Sequence, residues 1–78
     1  MKIEYVIFIK DSQTRLKILW EMYSDIEQAV EDHKELMQPD KLRRIVEKDV
    51  QDHLGEIDLY YLNNPFKRFE VTLEVLYQ

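Results

Sequence analysis

The chain contains no cysteine and a single glycine among its 78 residues. The absence of cysteine excludes thiolate metal ligands, thiol nucleophiles and disulfide bonds, and it suits the cytosol. One glycine leaves no glycine-rich loop of the kind that holds phosphate groups, which disfavours nucleotide-binding enzymes. No apolar run approaches the roughly 18 residues of a membrane span, and residues 1–10 lack the features of a signal peptide. We therefore expect a cytoplasmic protein that does not contact a membrane.

Positive charge is also scarce, because 11 lysines and arginines stand against 16 acidic residues, for a net charge of -5. This balance opposes non-specific attraction to nucleic acid and favours a basic protein partner. The length suits one domain, residues 1–78, which buries roughly 60 to 65% of the surface that its unfolded chain exposes. Because no disulfide or evident metal adds stability, burial against a partner would matter for so small a domain.

Two blocks near the start of the sequence alternate apolar and polar side chains, which is the pattern of a strand. Residues 2–10 and residues 15–23 are joined by a polar turn at residues 11–14. Pairing Lys10 with Arg15 brings Tyr5 opposite Trp20 and gathers both apolar rows on one face. The rows are Ile3, Tyr5, Ile7 and Ile9 in the first block and Leu16, Ile18, Trp20 and Met22 in the second. We predict a β-hairpin in this register.

Helical spacing follows the hairpin. Ser24 and Glu27 have the spacing of a capping box, and apolar residues then recur every three or four positions until about Gln38. Pro39 suits the first turn of a second helix, which Gly55 can end in a left-handed conformation. We predict two helices that are separate or sharply kinked.

The last part of the chain returns to strand spacing. Ile57, Leu59 and Tyr61 fall on alternate positions, a turn signal follows at residues 63–65, and alternation resumes over residues 69–77. These segments predict a second hairpin. The order ββααββ then predicts an α+β fold, a two-layer sandwich in which two helices cover one face of a four-stranded antiparallel sheet.

Helices on one side of the predicted sheet leave its other side, the reverse face, uncovered. Apolar side chains are predicted there, namely Val6, Phe8, Leu19, Tyr23, Tyr60, Leu62 and Leu76. Large exposed apolar patches mark protein interfaces, so we predict contact with another protein or with a second copy in a homodimer. The residues assigned to this contact are Phe8, Leu19, Tyr23 and Tyr60. The alternative is that they are single exposed side chains scattered among charges, as in any monomer.

The first predicted helix concentrates the negative charge, because residues 24–37 contain five acidic residues and one lysine, a net charge of -4. With Ile26 in the core-facing stripe, a turn of about 100° per residue puts three of the acids on the opposite side and leaves Asp25 and Glu27 at its flanks. The acids assigned to partner binding are Glu31, Asp32 and Glu35. Such a face suggests a small acidic inhibitor or adaptor, of phage or regulatory type, on a basic surface of a nucleic-acid-handling protein. The alternative is an ordinary solvated helix face.

Asp49 and His53 are four residues apart on one face of the second predicted helix. With His33 they match the ligand types of a metal site built from two histidines and one carboxylate. In an antiparallel helix pair, however, His33 lies roughly 8 Å along the axis from Asp49 and roughly 14 Å from His53. Metal bonds of about 2 Å cannot span these distances. We therefore expect a hydrogen bond between Asp49 and His53, with no metal and no cofactor.

Catalytic hydroxyl groups are not evident either, because Ser24 is assigned to a helix cap and lies roughly 13 Å along the helix from His33. The sequence therefore predicts a non-catalytic protein-interaction module. The alternative is a small homo-oligomeric ligand-binding or enzyme subunit whose site lies near Asp49 and His53.

Overall fold

The computed structural model describes residues 2–50, 52, 55 and 57–78. Its strands are β1 (Ile3–Asp11), β2 (Lys17–Tyr23) and β3 (Phe69–Tyr77). Its helices are α1 (Ile26–Leu36), α2 (Pro39–Ile45) and α3 (Leu59–Asn63), with a π-helical turn at Val46–Val50 and a 3-10 turn at Pro65–Lys67. Within these described ranges, no helix has the length and apolar character needed to cross a membrane.

The sheet has three antiparallel strands in the order β2-β1-β3, so the first strand of the chain lies in the middle. β1 and β3 pair along their whole length, from Ile3 opposite Tyr77 to Asp11 opposite Phe69. The predicted four-stranded sheet with the order ββααββ is therefore wrong. The strands predicted at residues 2–10, 15–23 and 69–77 are present, and the strand predicted at residues 57–61 is not.

The missing strand is a short helix for a local reason. Leu59, Tyr60, Tyr61 and Leu62 are four consecutive large apolar residues, so the segment lacks the alternation that a half-buried strand requires. Asp58 precedes them, and its carboxylate accepts a hydrogen bond from the Tyr60 amide at 2.8 Å. That bond caps α3 and satisfies one of the amides that a helix start leaves unpaired.

The hairpin of β1 and β2 forms in a different register from the predicted one. Its turn is longer, because the Asp11 amide donates to the Leu16 carbonyl and Arg15 adopts a left-handed φ of 63°. Lys10 consequently lies opposite Lys17, and a bulge interrupts the pairing between Ile7 and Phe8. The bulge adds a residue to β2, and an added residue reverses the faces of all that follow.

The buried core lies between one face of the sheet and the helices. Ile7 and Ile9 from β1 pack with Phe69 and Val71 from β3. The remaining buried members come from the helical half and from the segment that follows it, namely Leu36, Leu42, Val46, Val50 and Ile57. Gly55 has a φ of 77°, which is the left-handed conformation that the sequence predicts at the end of the helical region.

Candidate protein-interaction surfaces

The orientation of α1 decides which of its side chains a partner can reach. Ala29 and Leu36 are the buried residues of this helix, so its core-facing direction passes between them. Ile26, which the sequence places in the core stripe, is 50% exposed. On a helix that turns about 100° per residue, Ile26, Val30 and Met37 lie together roughly 60° to 110° away from that direction. We call these three residues the apolar flank of α1.

Acidic side chains border the apolar flank on the outer side of the helix. Glu27 and Glu31 are exposed, and they line a shallow groove together with Ile26, Val30 and Lys34. We call this set the outer face of α1. It combines apolar surface with carboxylates at one place, whereas the sequence predicted carboxylates alone.

Asp32 is not part of this outer face, although the sequence predicted it there. The Tyr23 hydroxyl donates a hydrogen bond to the Asp32 carboxylate at 2.7 Å, and the Gln28 amide donates another at 2.8 Å. Burial, together with the hydrogen bond to Asp32, raises the pKa of Tyr23 well above its usual value. The hydrogen bond from Tyr23 to Asp32 ties α1 to the sheet.

Glu35 is exposed but has a partner within the chain. Its carboxylate lies 3.1 Å from the Lys41 ammonium, in an ion pair that links the end of α1 to the start of α2. Exposed pairs of this kind contribute about 1 kcal/mol or less to stability. Of the three predicted acids, Glu31 is the one that borders the apolar flank.

The reverse face of the sheet holds part of the predicted apolar set. Leu19 is 49% exposed and Phe8 is half-buried beside it, since the two residues are cross-strand partners. The Lys17 ammonium lies 4.3 Å from the centroid of the Phe8 ring and 2.6 Å from the Glu74 carboxylate. Lys17 thus covers the Phe8 ring and pairs with the Glu74 carboxylate, which reduces both the exposed apolar area and the unpaired charge of the reverse face.

Three residues predicted on the reverse face lie elsewhere. Tyr23 follows the bulge, so it shares the core side with Trp20 while Met22 takes the exposed position at 41%. Tyr60 belongs to α3 rather than to a strand, and its hydroxyl oxygen accepts from the Lys67 ammonium at 2.9 Å. Leu62 belongs to the same helix and packs against the core. The missed bulge and the missed helix account for these three errors.

The two candidate surfaces point in opposite directions. α1 packs against the core side of the sheet, so the outer face of α1 and the reverse face lie on opposite sides of the molecule. A partner with a flat surface therefore contacts one of them and not both.

A buried ion pair that the sequence reasoning missed joins the β1–β2 turn to the start of β3. The Arg68 guanidinium donates two hydrogen bonds of 2.9 Å to the Asp11 carboxylate, and both side chains are almost completely buried. Thr14 and the Gln13 amide donate to the same carboxylate. Burial by itself would raise the pKa of Asp11, but these hydrogen bonds, led by that from Arg68, hold it at about 2.

A signal for this pair was present in the sequence. Asp11 falls on the same alternating row as Ile7 and Ile9, so strand period places its carboxylate on the core side. A buried carboxylate needs a cation or several donors, and Arg68 directly precedes β3. Assigning residues 11–14 to the turn concealed the requirement. With every Asp11 oxygen paired, the cluster holds the fold together and offers no open position to a ligand.

Of the residues proposed for metal or ligand chemistry, the structure describes His33 and Asp49. Asp49 is exposed on the π-helical turn, and His53 lies outside the described residues. His33 is half-buried, and its Nε2 lies 3.2 Å from the Val71 carbonyl oxygen. In the ranges that the structure describes, no three histidine or acidic side chains are grouped closely enough to hold a metal ion.

Comparison of this chain with protein-family models, with curated proteins and with solved structures finds no match.

Proposed function

We propose that this chain is a non-catalytic protein-interaction module that binds a basic protein through the outer face of α1. The observation that carries the proposal is the half-exposed Ile26 beside Glu27 and Glu31, on a helix whose other side is packed against the sheet. Apolar contacts would supply most of the binding free energy, and the glutamates would orient the partner and speed its approach.

The partner that fits this face carries an apolar patch bordered by lysine or arginine. The net charge of -5 adds a long-range attraction to such a surface. A groove that normally holds nucleic-acid phosphates has this chemistry, so an acidic inhibitor or adaptor of a nucleic-acid-handling protein is the specific form of the proposal. A cytoplasmic location belongs to it as well, since the chain contains no cysteine.

The reverse face is a weaker candidate for a basic partner because two of its carboxylates are paired with lysines of the same face. Lys17 pairs with Glu74 at 2.6 Å, and Lys2 pairs with Glu4 at 3.0 Å. Leu19 and Met22 remain as exposed apolar groups. This face therefore serves as the competing surface in the experiment.

The experiment titrates the isotope-labelled chain with a synthetic helical peptide of leucine and lysine, basic on one side and apolar on the other. We expect amide and methyl chemical-shift changes at Ile26, Val30 and Glu31, with an affinity that falls as salt is added. Polylysine, which lacks an apolar side, should bind more weakly. Shift changes centred on Leu19 and Met22, or spread evenly over all acidic residues, would contradict the proposal.

Two double charge-reversal variants distinguish the position of the glutamates from the net charge of the chain. Glu27→Lys with Glu31→Lys should remove peptide binding, whereas Glu47→Lys with Glu70→Lys makes the same change in net charge at exposed sites on other elements and should retain most of it. Ile26→Ser keeps every charge and should weaken binding about tenfold, because an apolar anchor is lost. Equal losses in both charge-reversal pairs would show that net charge alone drives the contact.

A further inference from the structure

β3 is an outer strand of the sheet, and its backbone pairing shows which of its groups face away from β1. Lys2 and Gln78 exchange both of their backbone hydrogen bonds, and the Ser12 amide donates to the Arg68 carbonyl. In an antiparallel ladder the bonded pairs recur at every second residue. The even-numbered residues of β3 therefore bond to β1, and the odd-numbered ones direct their amides and carbonyls outward.

One outward-facing backbone group of β3 is already bound by a side chain of α1. His33 places its Nε2 3.2 Å from the carbonyl oxygen of Val71, one of the outward-facing groups. Beyond Val71, the outward-facing residues are Leu73, Val75 and Tyr77. We call these three the open edge, since no strand in the described part of the chain lies beyond them.

The open edge carries apolar side chains that solvent reaches. Val75 is 44% exposed and Tyr77 is 69% exposed, and Ile3, directly opposite Tyr77 in β1, is exposed as well. Monomeric proteins protect outer strands with lysine, proline, bulges or a covering helix. Residues 73–77 contain no lysine and no proline, and their pairing with β1 has no bulge, so this stretch is suited to pairing with another strand.

We propose that the open edge pairs with the open edge of a second copy of this chain, antiparallel and about a two-fold axis at Val75. Val75 then faces the partner subunit's Val75, and Leu73 faces the partner subunit's Tyr77. Each of these pairs exchanges both of its backbone hydrogen bonds, and the two sheets become one continuous sheet. This surface is separate from the outer face of α1, so the inference does not depend on the proposed function.

Charge and backbone access select this register and favour a second copy. Centring the axis on Glu74 would place two carboxylates directly opposite each other, which is destabilising. Centring it on Leu73 would require the Val71 backbone, where His33 already binds. With the axis at Val75, Glu74 faces the partner subunit's Leu76 and keeps its own ion pair with Lys17. The edge is therefore self-complementary, with no like charges opposed.

The test measures mass by sedimentation equilibrium from micromolar to millimolar concentration, with Val75→Lys and Val75→Glu as variants. The wild type should form a dimer of weak to moderate affinity, as expected of a small interface. Each variant alone should be a monomer, because the axis brings two like charges together. An equimolar mixture of the two variants should dimerise again, because the lysine of one copy then faces the glutamate of the other.

Restoration by mixing is specific to an axis at residue 75, and it also shows that both variants are folded. Leu19→Lys, which adds the same charge to the reverse face, serves as the matched control and should leave the dimer unchanged. A wild type that remains monomeric at millimolar concentration, a dimer that survives Val75→Lys alone, or variants that stay monomeric when mixed would each overturn the proposal.

Discussion

At the scale of single residues, the buried ion pair of Asp11 and Arg68 holds the β1–β2 turn against the start of β3. Removing two charges from water costs several kcal/mol, and the pairing offsets this cost when the hydrogen-bond geometry is good. Here the carboxylate has two bonds from the guanidinium and further bonds from Thr14 and the Gln13 amide. The carboxylate is therefore fully hydrogen-bonded. Removing either side chain would leave the other as an unpaired buried charge, whose desolvation cost would no longer be offset.

The lowered pKa of Asp11 predicts a loss of stability in acid. The pKa of Asp11 is about 2 in the folded chain, against the unperturbed value of 3.8 that applies to the unfolded chain. The carboxylate therefore contributes stability above about pH 4, and this stability is lost as the pH falls towards 2. The contribution is on the order of 2 kcal/mol, since one pKa unit corresponds to about 1.4 kcal/mol. Urea unfolding followed between pH 5 and pH 2 should show this loss in the wild type.

Asp11→Asn should unfold more easily than the wild type at pH 6 and should lack this component of the acid dependence. Asp40→Asn, a change at an exposed carboxylate, should keep the shape of the wild-type curve. If the wild type and Asp11→Asn lose stability in parallel as the pH falls, Asp11 is not paired as described.

At the scale of elements, the start of α1 shows a prediction that was one residue off. The spacing of Ser24 and Glu27 predicts a cap at Ser24, but Asp25 has the extended backbone of a cap residue and accepts from the Glu27 amide at 3.0 Å. Serine and aspartate both cap helices well, so sequence preference alone does not choose between adjacent positions. The burial of Ala29 and Leu36 fixes the rotation of α1 about its axis, and with this rotation Asp25 is the N-cap residue.

Capping by Asp25 predicts unequal effects from two neighbouring alanine substitutions. Asp25→Ala should lower the free energy of unfolding by about 1 kcal/mol, because it leaves an amide of the first turn unpaired. Ser24→Ala should change it by less than about 0.5 kcal/mol, as is usual for a surface position. Thermal or urea unfolding of the two variants provides the measurement, and the reverse order of effects would assign the cap to Ser24.

The strands show which features the alternation of apolar and polar side chains can predict. Alternation located β1, β2 and β3 within about two residues, and it is clearest in β1 and β3, where buried residues recur at every second position. The bulge in β2 escaped prediction because Leu19 to Tyr23 are apolar on both candidate faces apart from Glu21, so either phase would bury hydrophobic side chains. The partners of β2 in the folded sheet decide its phase, and a single sequence does not reveal them.

At the scale of the whole molecule, the sheet is longer than the helices that cover it. The chain extends 42 Å along its longest axis, and its radius of gyration is 12.8 Å, against about 11.5 Å expected for a compact domain of this length. Ile3 and Tyr77 are exposed near the end of the sheet where Lys2 pairs with Gln78. The open edge lies in this part of the molecule.

The candidate surfaces were predictable in charge but not in orientation. The net charge of α1 follows from composition, whereas its rotation depends on which residues contact the sheet. A helix with Ile26, Val30 and Ala29 on neighbouring positions can bury either side. The open edge was not predicted, since the sequence predicted a fourth strand paired with residues 69–77.

The whole arrangement predicts an alternating pattern of amide exchange along β3. At low concentration the amides of Thr72, Glu74 and Leu76, which face β1, should exchange about 100-fold more slowly than those of the open edge. Raising the concentration into the dimer range should slow Val75 and Tyr77 while leaving Thr72 unchanged, because a second strand then protects only the outward-facing groups. Hydrogen exchange read by nuclear magnetic resonance resolves these amides individually. Protection that fails to alternate at low concentration would refute the pairing of β1 with β3, whereas alternation that persists at high concentration would refute the dimer and leave the fold intact.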